Sequence, residues 1–327
     1  MSNQSRFFIS AILCFGVFYL LNASWLATAP EGETMLLSHR GVHQTFSREG
    51  LTHESCTAEQ IFPPSHDYLE NTLASMEAAF ALGADVVELD IHPTTDGAFV
   101  VFHDWTLDCR TNGTGRTRDY TLAELQALDI GYGYMADGGK TYPFRGRFIG
   151  AMPCLSEVLQ AFPDRRFVLN FKSRQKSEGE AFVVWLGERR PPAIAAFAGH
   201  ETLLDPIRAA WPDAIFMSRQ RARQCAKSYG LLGWTGYMPR ACENAYMPVP
   251  ANYRWAVWGW PHRFERRLRK VGSSSLLLGP LTDTGTVGLE SVEDLKYVPD
   301  DYKGIVFTNR IEVTGPKLKP ELKDEHP

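Results

Sequence analysis

Positive charge is not in surplus in this 327-residue sequence. Its 34 Lys and Arg stand against 38 Asp and Glu, a formal net charge of −4, with a pI near 6.2. Without a basic excess there is no electrostatic footprint for nucleic acid, and no such partner is expected. The six cysteines form no CxxC pair, which argues against a structural zinc site. No internal repeat is present, so a solenoid or propeller is excluded. Low complexity is confined to a Lys/Pro/Glu-rich tail after residue 315.

Long charge-free runs are also scarce, with one exception. No charged residue lies between Arg6 and Glu31, and Phe7 to Ala29 (FFISAILCFGVFYLLNASWLATA) is long enough to cross roughly 30 Å of hydrocarbon as a helix. Arg6 precedes the run, and Glu31 and Glu33 follow it, so the positive-inside rule puts the N-terminus in the cytoplasm. The run reads as a signal anchor or as a signal peptide cut near Ala27-Thr28-Ala29. An anchor is favoured, because the run exceeds a typical signal core and Pro30 suits a cleavage site poorly. Residues 1–30 are therefore the anchor or signal, 31–315 one large domain, and 316–327 a polar tail. The domain is expected outside the cytoplasm, periplasmic or extracellular, held at the membrane or secreted after cleavage.

Export permits disulfides. Cys14 lies in the apolar run, which leaves Cys56, Cys109, Cys154, Cys225 and Cys242. Cys56 with Cys109 and Cys225 with Cys242 are the expected pairs, with one thiol left over.

What is abundant is apolar residue, 44% of the chain, in short runs that alternate with helical patterns. Strand candidates are 35–38, 86–92, 98–102, 166–172, 193–198, 214–218, 254–258, 275–278 and 305–308. Helix signals include Leu73 to Leu82 before Gly83, and Tyr120 to Leu128 with Thr121 and Glu124 placed as a capping box. Leu155 to Ala161 is a further helix, and 129–150 is a Gly- and Tyr-rich excursion. This βα order predicts an α/β fold with mostly parallel strands. The strands number eight or nine, about as many as a TIM-type (β/α)8 barrel needs.

Polar residues gather where these strands end. His39 and Arg40 follow the first. Glu88, Asp90 and His92 alternate along the second and so share one face. His103-Asp104 follows the run at 98–102, and Asn170 and Lys172 close the run at 166–172. In a parallel barrel these ends converge on one mouth. Two carboxylates side by side call for a cation: a hard ion such as Mg2+ or Ca2+, or else ion pairs with Arg40 or Lys172. His39 and His103 beside them suit an acid and a base, and Arg40, Lys172 and a metal would stabilise an anion such as phosphate.

HRG at 39–41, ENT at 70–72, ELD at 88–90, DG at 96–97 and HD at 103–104 together resemble the glycerophosphodiester phosphodiesterase family. MPCLSEVL at 152–159, FVLNFK at 167–172 and GIVFTNR at 304–310 extend the resemblance along nearly the whole exported part. It implies a TIM-type barrel that hydrolyses glycerophosphodiesters to an alcohol and glycerol phosphate, using one divalent cation, Mg2+ or Ca2+. His39 and His103 would be the acid/base pair. Arg40, Lys172 and Glu70 would bind substrate phosphate or line its site, and Glu88, Asp90 and Asn170 would hold the metal. Two positions depart from the pattern: Asn170 stands where the family usually has a metal-binding Glu, and Asn309 where its last strand has Asp. The same framework could serve lysophospholipids or phosphoinositides, or a non-catalytic binder of phosphate ligands. The long segment Val42 to Leu69 could form a lid or carry a disulfide. Its His43, His53 and His66 read as loop residues, and His92 as a residue backing the site.

Overall fold

The computed structural model describes residues 3–52, 55–283 and 285–321. His53 and the end of the polar tail lie outside the described residues. In chain order the elements are α1 (Asn3–Asn22), β1 (Met35–His39), α2 (Leu73–Ala81), β2 (Val86–Pro93), β3 (Phe99–Val101), α3 (Leu122–Gln126), α4 (Leu155–Ala161), β4 (Arg166–Phe171), α5 (Lys176–Leu186), β5 (Ile194–Ala198), α6 (Glu201–Ala210), β6 (Ile215–Met217), α7 (Arg219–Leu232), β7 (Tyr246–Pro250), α8 (His262–Arg269), β8 (Ser274–Leu278), β9 (Ile305–Thr308) and α9 (Ile311–Leu318). The chain divides into two compact units. The smaller comprises 1–35, 215–289 and 293–307; the larger comprises 36–214, 290–292 and 308–327.

In the larger unit β1 pairs with β2, β2 with β4 and β4 with β5, all in parallel. The register sets His39 beside Glu88 and Asp90 beside Asn170, so the polar strand ends emerge at one level. The strands carry near-continuous apolar sequence because both sheet faces are covered: Leu36, Leu37, Val87, Leu89 and Val168 are fully buried. Phe182 of α5 packs edge-on against Phe171 of β4 and Phe197 of β5, with ring centroids 4.9 and 5.8 Å away, which fastens the helix to the sheet. α2 starts at Thr72, whose hydroxyl accepts from the Ser75 amide, and α3 has the expected capping box of Thr121 and Glu124.

Two strand expectations are corrected. The run 98–102 yields β3, but it pairs antiparallel to β2, with Ile91 opposite Val101. Thr94 to Gly97 make a tight turn, too short for the crossover that a parallel neighbour requires. His103 thus reaches the site by way of a hairpin and not as the end of a barrel strand. In the smaller unit, 254–258 is not a strand; Ala251–Ala256 is a 3-10 helix and Trp255 is exposed. The strand is β7, absent from the sequence expectations, and it carries Pro248 and Pro250, residues uncommon inside a sheet. Prolines two residues apart withhold their N–H groups on the same edge, which leaves the opposite edge intact. β7 pairs in parallel with β8 and β8 with β9, while Phe216 of β6 makes a single parallel bridge to Ala245. With β3 set aside and β7 in place of 254–258, eight parallel strands remain, the number used by a (β/α)8 fold.

The apolar run at 7–29 is not one helix. α1 stops at Asn22, whose amide donates to the carbonyls of Phe18 and Trp234 (3.0 and 2.8 Å) and accepts from Arg267 (3.1 Å). Ser24–Leu26 is a separate short turn. Among the described residues no helix is long and apolar enough to cross a membrane.

Both expected disulfides are formed, Cys56–Cys109 and Cys225–Cys242, with sequence separations of 53 and 17 residues. Cys154 is the leftover thiol, buried at the start of α4. Loop-closure entropy assigns about 4 kcal/mol to the longer bridge and about 3 kcal/mol to the shorter. Replacing Cys56 and Cys109 together by Ser should therefore lower the unfolding free energy in urea by roughly 4 kcal/mol, more than the same change at 225 and 242.

Candidate active site

Every site residue named from the sequence lies in the larger unit. His39 ends β1, and the chain then turns through Arg40 (φ 62°) and Gly41 (φ 79°), both left-handed. Gly41 is obligatory there, because a Cβ would meet Ser75 Oγ at 2.5 Å and the Ser75 carbonyl oxygen at 2.8 Å. The Arg40 amide donates to the Glu88 carbonyl, and its own carbonyl accepts from Asn71. These bonds hold a non-glycine residue in a disfavoured conformation that delivers its guanidinium to the strand ends.

That guanidinium stands 3.0 Å from Glu70 Oε1 and 3.0 Å from Asp90 Oδ2. Asp90, fully buried, also meets Lys172 Nζ at 3.2 Å and accepts from Asn170 Nδ2 at 3.0 Å and Asn71 Nδ2 at 3.2 Å. The ion-pair reading of the stripe therefore holds for Asp90. Burial alone would raise its carboxyl, but Lys172 and Arg40 hold it well below the usual carboxylate range. Glu88 is the opposite case. Its Oε2 is buried without a hydrogen-bond partner, 3.7 Å from His39 Nε2. Burial, and then the charge on Asp90, push its carboxyl up to about 8.

The two catalytic candidates differ in what meets their Nδ1. His103 Nδ1 lies 2.6 Å from Asp104 Oδ1. Asp104 is in turn held by Arg110 Nε at 2.8 Å, and Arg110 also reaches Glu70 Oε2 at 3.2 Å, Thr57 Oγ1 at 2.7 Å and the Tyr134 hydroxyl. His39 Nδ1 lies 2.8 Å from Asn309 Oδ1. Asn309 Nδ2 donates to Glu290 Oε1 at 2.6 Å. A carboxylate can only accept, so it fixes the amide with its oxygen toward His39, which must then carry its proton on Nδ1. Both imidazoles are lowered by burial first and by Arg40 second, His39 well below its ordinary value. Only His103 has an adjoining carboxylate whose hydrogen bond favours the imidazolium.

Sequence reasoning did not place Arg110, which no motif marks. Asp104 belonged to the HD pair and Asn71 to ENT, yet neither had been given a role. His43, read as a loop residue, is buried with its ring 6.2 Å from that of His39. His66 stays in the loop, its Nδ1 3.1 Å from Gln44 Nε2. His92 is fully buried behind the site, its Nε2 at 3.5 Å from the His103 carbonyl. Burial depresses it to about 3, so it is neutral and structural.

Taken together, the strand ends carry a carboxylate-rich, cation-lined mouth with two differently supported imidazoles, on residues that fall at 39–41, 70–72, 88–90, 103–104 and 170–172. A sequence profile of the glycerophosphoryl diester phosphodiesterase family matches residues 39–256. The chain belongs to that family. Over 104 residues it is 40% identical to a glycerophosphodiester phosphodiesterase of Caldanaerobacter subterraneus subsp. tengcongensis, a stretch covering 32% of this chain and 39% of that relative. The matched stretch is thus well under two thirds of the relative's length. Among solved structures, a glycerophosphodiester phosphodiesterase from Agrobacterium tumefaciens superposes with a TM-score of 0.52 at 22% identity, covering 86% of this chain and 99% of that one. An Oleispira antarctica phosphodiesterase in complex with the product sn-glycerol-3-phosphate gives 0.54 at 19% identity, covering 90% and 97%. At these identities the likeness is one of fold, and it agrees with the eight-stranded parallel α/β architecture of this family member.

The family implies a divalent cation. Among the described residues no three His, Cys, Asp or Glu side chains are grouped as a metal site. The oxygens suited to a hard ion are the unpartnered Glu88 Oε2 and those of Asp90, while Asn170, standing in place of a third carboxylate, turns its Nδ2 to Asp90. An orphaned, proton-holding carboxyl beside an ionised one is what a cation would relieve, so the residues fit such an ion.

Arg110 ties two buried carboxylates. Arg110→Met should cost about 3–5 kcal/mol in urea unfolding, because Glu70 and Asp104 each lose a buried counter-charge. Asp104 is held below its ordinary value by Arg110 and His103 against the effect of burial. Its contribution to stability is therefore present above roughly pH 4 and lost as pH falls. The variant should lose that part of the acid sensitivity, which a pH series of urea midpoints would detect.

Proposed function

We propose that this chain hydrolyses glycerophosphodiesters to an alcohol and glycerol phosphate with the help of one divalent cation, and that it does so outside the cytoplasm. The observation that carries the reading is the pair of imidazoles with unequal support, set beside Arg40, Lys172 and the Glu88/Asp90 pair. Arg40 and Lys172 would bind the phosphate oxygens, and Glu70 would keep Arg40 aimed. His103, with Asp104 at Nδ1, is the better built to hold a proton, and would give it to the leaving alkoxide as the P–O bond breaks. His39, whose Nδ1 meets the Asn309 amide oxygen, would take the proton from the water that attacks phosphorus. When bound, the cation would neutralise charge on the phosphoryl oxygens. Glu88, Asp90 and Asn170 are the residues that would hold it.

Export is supported by the two disulfides and by the charge asymmetry around residues 7–29. We read the N-terminal segment as a membrane attachment.

Turnover on glycerophosphocholine, glycerophosphoethanolamine and matched lysophospholipids, followed by phosphorus NMR, tests the assignment. His39→Ala and His103→Ala should each lower kcat by at least about 100-fold, and EDTA should abolish activity. Full activity in either variant would sink the acid/base scheme, and tight phosphate binding without turnover would make the chain a binder. Metal addition offers a separate check. Glu88 is largely protonated at pH 7 in the metal-free protein, so binding should release about one proton there and almost none above pH 9. Calorimetry in buffers of different ionisation enthalpy reads that number directly.

A further inference from the structure

The smaller unit carries a surface that the catalytic reading does not use. In α1, five consecutive residues from Val17 to Leu21 are each 43–58% exposed. Successive residues of a helix point to every side, so the stretch shows apolar side chains to solvent around most of its girth, with Phe18 edge-on to Trp234 at 4.7 Å. A helix of that kind belongs in a protein interior or in lipid, and here it is not in the interior. Beside its end lies a groove of about 890 Å³ to which Tyr19, Trp255 and Trp258 contribute. Trp255 is 80% exposed and Trp25, one turn past α1, 70% exposed. Indole and phenol rings, apolar in body and polar at the tip, suit the depth of lipid headgroups.

Cations are gathered at the same place. Arg263 donates to the carbonyls of Ala23 and Leu20, and Arg267 holds Asn22, so α8 is fastened to the last turn of α1. A neighbouring cleft of about 520 Å³ is lined by Arg263, Arg266, Arg267, Arg269 and Lys270, with Glu31 as the carboxylate facing them. Glu265, the acidic residue of α8, is buried and committed to Arg269, Ser274 and Ser275. With Arg269 taken up by Glu265, four cations, Arg263, Arg266, Arg267 and Lys270, face one carboxylate, and make a surface complementary to anionic headgroups.

We propose that this collar, made of the exposed end of α1, Trp25, Trp255, Trp258 and the α8 arginines, is a membrane-contact surface that rests on an anionic phospholipid bilayer. It adds a face of the folded unit to the attachment that residues 7–29 supply, and it rests on that reading of the N-terminal segment. A bilayer fits better than a folded partner, because the surface pairs an exposed apolar helix end with a rim of aromatics and arginines.

The test uses the full chain with vesicles of phosphatidylcholine alone or with about 30% phosphatidylglycerol, whose negative surface potential attracts Lys and Arg, read by flotation. The wild type should partition on the order of tenfold more strongly onto the anionic vesicles. Trp25→Ser with Trp255→Ser should weaken binding to both compositions by on the order of tenfold. Arg266→Gln with Lys270→Gln should remove the anionic preference alone. These side chains are surface groups, so thermal unfolding serves as the control that each variant is folded. If the wild type floats but both double variants match it on both compositions, the collar is wrong while the N-terminal attachment stands. If the wild type fails to float at all, both readings fall. A lipid-free dimer that Trp25→Ser with Trp255→Ser dissociates would overturn the proposal in favour of a contact between copies of the chain.

Discussion

Four buried or part-buried carboxylates, Glu70, Glu88, Asp90 and Asp104, share three cations, Arg40, Arg110 and Lys172, at the strand ends. The sum is one charge short of balance. Arg40 bridges Glu70 to Asp90, Arg110 bridges Glu70 to Asp104, and Lys172 completes Asp90. Glu88 alone is left over, and an uncompensated buried charge is too costly to persist. The metal-free protein meets the shortfall with a proton. A divalent cation would meet it with a charge that also faces the substrate. The same network explains how a polar stripe can occupy the centre of a buried strand, since each charge in it is met by a partner or by a proton.

Much of this was legible from the sequence. The alternation of Glu88, Asp90 and His92 with apolar residues put them on one face, and spacing alone located β1, β2, β4, β5 and the capped starts of α2 and α3. The two expected disulfides are present, although five cysteines beyond the apolar run do not by themselves fix which pair. The failures have identifiable physical causes. The strand at 98–102 was apolar and well bounded, but its direction depended on the length of a four-residue turn. β7, absent from the sequence expectations, carries two prolines whose missing N–H groups fall on one edge. The run 254–258 was apolar enough to pass for a strand because composition does not show which way a side chain faces.

The site was less legible than the fold. Residues adjacent to motifs could be found: Asp104 sits in HD and Asn71 in ENT. Arg110 could not, because its importance comes from long-range geometry that gathers Thr57, Glu70, Asp104 and Tyr134 around one guanidinium. The two departures from the family pattern also acquire meaning only in three dimensions. Asn170 donates to Asp90 where a Glu would repel it. Asn309 gives His39 a proton acceptor without a charge, which leaves the two imidazoles chemically distinct.

The Cys56–Cys109 bridge brackets this arrangement. Thr57 and Arg110, which hydrogen-bond to each other, each follow one of its two cysteines. The covalent brace on the guanidinium that steadies Glu70 and Asp104 is thus assembled only where thiols are oxidised. Without the bridge that guanidinium would be held by hydrogen bonds and ion pairs alone, so the order around two buried carboxylates depends on the oxidation state of two distant thiols.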